Sequence, residues 1–99
     1  AYQIAKYLAD TYPDNPYFHR YYARMTYSLG MITETEKASL SILAKLDSGQ
    51  VGYEATCGRY ASYFLAHTYY YYQQKKDIEK ARSYYKKTIA YSEQSQAYE

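Results

Sequence analysis

The sequence predicts an all-α fold, an α-solenoid of antiparallel helical hairpins with about five helices. Three observations predict it. Apolar residues recur at helical spacing along most of the chain, and Pro, Gly and Asp clusters cut that pattern into separate stretches. Gly58–Ile89 reads as a helix, a short polar turn at Gln73–Asp77 and a second helix, with Ala61 and Ala66 on one arm and Ala81 on the other where the two would touch. A shift of 43 residues also lays one part of the chain on another. A single hairpin of this kind cannot bury its apolar stripe alone, so the pattern implies a stack of hairpins.

The elements follow in order. Residues 1–12 put Ile4, Ala5, Tyr7 and Leu8 at helical spacing, and Pro13 ends that helix. Asn15 before Pro16 is a start signal, a side chain able to cap and then Pro at the first helical position. The second helix, Pro16–Leu29, stops at Gly30. Thr33 and Glu36 have capping-box spacing, so a third helix is expected to begin at Thr33 and run to Leu46, where Asp47-Ser48-Gly49 breaks it. The fourth is expected over Tyr53–Gln74. Gly58 falls inside it, at a cost of about 1 kcal/mol relative to Ala, which implies a bend or the close approach of a neighbouring backbone. Asp77 caps a fifth helix from Ile78 to Ser95, and the polar end SEQSQAYE is expected to fray.

Under the 43-residue shift Tyr17 falls on Tyr60, Ala23 on Ala66 and Tyr27 on Tyr70, while Glu36-Lys37-Ala38 falls on Glu79-Lys80-Ala81. The separation of Ala23 and Ala38 equals that of Ala66 and Ala81. Close approach of two helices needs small side chains at the crossing, a physical reason for the match.

On these residues the chain resembles a tetratricopeptide repeat protein. Leu65-Ala66 is similar to the family's Leu-Gly pair and Tyr69 to the aromatic that follows it. Lys76-Asp77-Ile78-Glu79-Lys80-Ala81 is similar to the family's turn and second-helix Ala, and Tyr85 sits at the second-helix aromatic. Tyr22-Ala23, Ala38 and Ile42 hold the equivalent places in the earlier unit. Pro13 looks like the Pro that ends a preceding repeat. The resemblance thus implies a single repeat domain over residues 1–99: the second helix of one repeat at 1–12, a repeat at 16–47 and another at 53–95. The period is longer than the family's unit of about 34 residues, and HEAT-type units have periods of about 40–47. Lys45 and Thr88 also stand where the family has a small residue.

Composition narrows the function. The 12 basic and 10 acidic side chains nearly balance, which argues against a dedicated nucleic-acid binder. The longest apolar run is too short to span a bilayer. Cys57 is the only cysteine, so no intrachain disulfide is possible. No metal-ligand spacing, phosphate-binding loop or cofactor motif appears, and His19, His67 and Cys57 are read as structural, so no enzyme activity is expected. Ala1 already lies inside an apolar-periodic segment with no initiator Met before it, and the chain reads as a piece of a longer protein.

The remaining signal is 18 tyrosines against two phenylalanines and no tryptophan. Many of these rings are packing. Yet Tyr17, Arg20, Arg24 and Tyr27 share one face of the second helix, and the shift puts Tyr60, Tyr63, His67, Tyr70 and Tyr71 on the matching face of the fourth. In the family it resembles, such positions line a concave groove that holds partner peptides. The expected function is therefore a non-catalytic scaffold for a protein or peptide partner, with Arg20 and Arg24 available to a carboxylate. The groove lacks the Asn or Lys of the family's carboxylate clamp, since Tyr63 and Phe64 stand there instead. The readings left beside it are a helical accessory domain of a larger enzyme and a nucleic-acid-binding repeat that uses Lys75, Lys76, Lys80, Arg82, Lys86 and Lys87. Self-association through residues 1–12 or the last helix is a further expectation.

Overall fold

Turn chemistry sets the helix boundaries. The computed structural model describes residues 1–96, and among these it has five α-helices, one short 3₁₀ turn and no strand. Helix α1 spans Tyr2–Thr11. Helix α2, Pro16–Ser28, starts as read from the sequence: the Asn15 carbonyl oxygen Oδ1 accepts from the Tyr17 and Phe18 amides, and Pro16 takes the first position. It ends in a two-bond cap in which Gly30 N–H donates to the Tyr27 carbonyl and Met31 N–H to the Thr26 carbonyl. Gly30 has φ of 71°, which favours glycine. Gly49, φ 76°, closes the next helix with the same pair of bonds, from Gly49 to Leu46 and from Gln50 to Lys45.

Helix α3 spans Ile32–Asp47, and its start corrects the capping-box reading. Met31 sits at the cap with no side-chain hydrogen bond, and Thr33 lies inside the first turn. The cap closing α2 leaves no residues to spare before α3, and Glu36 is engaged elsewhere: it accepts from Tyr69 Oη at 2.7 Å and pairs with Lys75 at 3.0 Å. Helix α4, Ala55–Tyr71, is shorter at both ends than the expected Tyr53–Gln74. Glu54 is extended and Tyr53 turns its ring into the core. At the other end Tyr72 leaves helical geometry and Gln73–Lys75 forms the 3₁₀ turn. Asp77 ties off the hairpin, its N–H donating to the Tyr69 carbonyl at 2.8 Å and its Oδ1 accepting from Lys80 N–H at 3.1 Å. Helix α5 spans Ile78–Gln96 and continues through most of the tail expected to fray; the last three residues of that tail lie outside the described residues.

Each helix packs on the next, α3 lies against both α2 and α4, and α2 and α4 also touch directly. The crossing alanines Ala23, Ala38, Ala61, Ala66 and Ala81 are all buried. Gly58 resolves as a close approach, by side chains rather than backbone: a Cβ there would lie 2.8 Å from Leu46 Cδ2 and 2.8 Å from two ring carbons of Tyr91. Hydroxyl pairs cross the helix pairs. Thr35 Oγ1 lies 3.0 Å from Thr26 Oγ1 between α3 and α2, and Ser62 Oγ lies 2.9 Å from Thr88 Oγ1 between α4 and α5. Thr88 and Lys45 thus each have a local role. Thr88 serves that hydroxyl pair, and Lys45 reaches back to the Pro13 carbonyl at 2.7 Å and to Asp14 at 3.0 Å. None of the described helices is long and apolar enough to cross a membrane.

Candidate functional site

The direct packing of α2 on α4 brings the two sequence stripes together. Its centre is Tyr27 on α2. The Tyr27 ring stacks on Phe64 with centroids 4.7 Å apart, and its hydroxyl lies 2.6 Å from His67 Nδ1. Burial lowers the His67 pKa, and burial with the neighbouring phenols pushes Tyr27 up to about 12, so both side chains are neutral at pH 7. With the imidazole proton on Nε2, the phenol donates to Nδ1. From His67 the aromatic row continues to Tyr63 at 4.2 Å and to Tyr71 at 5.1 Å. Tyr70 leans toward α5 instead, edge-on to Tyr85 at 6.5 Å and to Tyr71 at 4.8 Å.

The other end of the face is cationic. The Arg20 guanidinium lies 5.5 Å from the Tyr17 ring centroid and 5.2 Å from that of Tyr60, which joins α2 to α4. Arg24 lines the same small cleft with Tyr17, Arg20, Tyr21 and Tyr60. Phe64 links the two ends, within 6.2 Å of both Tyr60 and Tyr63. All nine residues of the sequence stripe thus lie along α2 and α4. Tyr17 is 69% exposed and Tyr71 64%, and Tyr63 and Tyr70 also present ring area to solvent.

Three participants were not legible from the stripe. Phe64 lies one position off it and forms the floor. Tyr85 comes from α5. Arg59 is adjacent in sequence to Tyr60 and so off the face by helical phase, but its long side chain folds back to within 4.8 Å of the Tyr60 centroid. A reading by residue spacing places Cα atoms and misses a side chain that returns across its neighbour.

The residues read as structural have these surroundings. Cys57 is buried, and each histidine is engaged by a tyrosine: His19 Nδ1 lies 3.0 Å from Tyr53 Oη, and His67 Nδ1 lies beside Tyr27. No group of three or more His, Cys, Asp or Glu among the described residues could hold a metal. In the basic cluster of the second hairpin Lys75 pairs with Glu36, while Lys80 and Lys87 are exposed, 5.2 Å from the Tyr69 and Tyr84 ring centroids. No protein-family model, curated protein or solved structure matches the chain.

Proposed function

We propose that this chain is a non-catalytic binding scaffold built on the tetratricopeptide principle, two helical hairpins and a leading helix stacked as a solenoid, with the α2/α4 face receiving a segment of a partner protein. The observation that carries the reading is the merger of the Tyr/Arg stripes of two helices into one surface with exposed rings, seated on Phe64 and the Tyr27–His67 hydrogen bond. Tyr rings supply contact area at small entropic cost, and here their neighbours already hold them. The helix contacts support the stacked arrangement, because α3 touching both α2 and α4, with α2 on α4, is what successive hairpins produce.

The test uses peptides selected from a displayed random library against the folded protein, with affinities measured by fluorescence anisotropy. Arg24→Ala and Tyr70→Ala are expected to weaken them by roughly 1–2 kcal/mol each, the scale of interface anchors. A library that yields no binder, or binders indifferent to both substitutions, would reject the assignment.

A further inference from the structure

The cationic end of the face carries an inference beyond a general binding surface. Arg20 and Arg59 come from different helices and place two guanidiniums within 5.2 Å and 4.8 Å of one ring centroid, that of Tyr60. Arg24 lines the cleft beside them. None of the three is in an ion pair among the described residues. The ion pairs found there, Lys6–Asp10, Lys45–Asp14 and Lys75–Glu36, all use lysine. Arg59 Nε is also buried without an acceptor. Positive charge is thus gathered on one tyrosine and left without a counter-charge, although the whole chain holds 12 basic and 10 acidic side chains. A guanidinium stacked on a ring keeps its N–H edge free, and that edge suits a carboxylate held by two parallel hydrogen bonds.

Tyr60 is also a shared wall. On one side lies a cleft of about 180 Å³ with Tyr17, Arg20, Tyr21 and Arg24. Another cleft, about 230 Å³, holds Arg59, Tyr63, Thr88 and Ser92. Each is smaller than the roughly 300–1,000 Å³ typical of a small-molecule pocket. Two such clefts suit successive side chains of a polypeptide crossing the Tyr60 ring. A nucleic acid would call for a basic stripe along the molecule, whereas the arginines here gather on one ring with a small cleft on either side of it. Glu54 borders a neighbouring cleft with Tyr17 and Arg20 but pairs with none of the three arginines.

We propose that Arg20, Arg24 and Arg59, arrayed around Tyr60, form the docking point for an acidic segment of a partner polypeptide, whose side-chain carboxylates pair with the guanidiniums. This rests on the reading of the α2/α4 face as a peptide surface and specifies the chemistry of its occupant.

The probe is a fluorescein-labelled decapeptide of alternating Glu and Leu, compared with its Gln/Leu counterpart and with a single-stranded oligonucleotide of equal charge. The Glu/Leu peptide is expected to bind about tenfold more tightly than the Gln/Leu peptide. Arg20→Gln and Arg59→Gln should each remove most of that difference, Arg82→Gln should leave it in place, and Glu54→Gln should increase it. Arg24→Gln at the exposed rim serves as the informative variant if Arg59→Gln loses its helical circular dichroism. Equal binding of the two peptides, no binding of the acidic one, or preference for the oligonucleotide through the same arginines would overturn the proposal. The two readings fail separately. Library peptides that need Tyr70 but ignore Arg20 and Arg59 would sink the acidic docking point alone. An acidic peptide that needs the arginines while Tyr70 and Tyr71 are silent would sink the aromatic groove alone.

Discussion

At Gly58 a methyl group has no room, because Leu46 closes from α3 and the rigid Tyr91 ring from α5. The Leu46 methyl ends a flexible chain, whereas the Tyr91 carbons belong to a planar ring that must shift as a unit. Gly58→Ala should therefore cost about 1–3 kcal/mol in overpacking, more than the roughly 1 kcal/mol that alanine gains in helix propensity. The urea midpoint should fall; a rise would mean that the ring yields freely. His19 makes a second residue-scale prediction. Burial, then Lys45, depress its pKa to about 4, with Asp14 opposing. The unfolded chain then binds the extra proton first. Stability from this group is fully present above the ordinary histidine pKa near 6.5 and falls as pH drops toward 4. The loss is on the order of 2 kcal/mol once partial solvent contact is discounted. His19→Gln should flatten the stability profile between about pH 6.5 and pH 4; a profile as steep as that of the parent protein would contradict this origin. Single residues were legible in the sequence where the chemistry was local. Asn15 and Asp77 cap as their positions imply, whereas Thr33 does not, because the Gly30 cap sets where α3 begins and Glu36 is claimed by Tyr69 and Lys75.

Among the helices, the Tyr69–Glu36–Lys75 group fastens α4 and its turn to α3. Burial pushes the Glu36 carboxyl up, but the hydrogen bonds from Tyr69 and Lys75 outweigh it and hold the group below its ordinary range. Tyr69→Phe keeps the buried ring and removes the hydroxyl, so it should cost about 1.5–3 kcal/mol, as expected for a hydrogen bond to a charged group. It should also raise the Glu36 pKa, which a side-chain carbonyl NMR titration reads directly. An unchanged Glu36 pKa would show that Lys75 alone sets it. Asn15→Ala should cost about 1 kcal/mol through the α2 start. Helix identity was readable from apolar spacing and punctuation in all five cases. The ends of α4 were not, because Tyr53 is drawn into the core and Tyr72 breaks the helix with no Gly or Pro to announce it.

For the whole molecule, the all-helical class followed from spacing and from the alanines, which are buried as close crossings require. Helical phase also placed the stripe residues along α2 and α4, with Tyr70 leaning toward α5. What spacing could not supply was the depth of the surface: Phe64 beneath, Tyr85 alongside and Arg59 folding over Tyr60. These depend on how far one helix lies from the next and on which way long side chains turn. The most direct measurement is amide chemical-shift mapping of the isotope-labelled protein titrated with a library-selected peptide. The shifts should concentrate between Tyr17 and Ser28 and between Arg59 and Tyr71. Shifts confined to α1 or to the outer surface of α5 would contradict the assignment of the α2/α4 face.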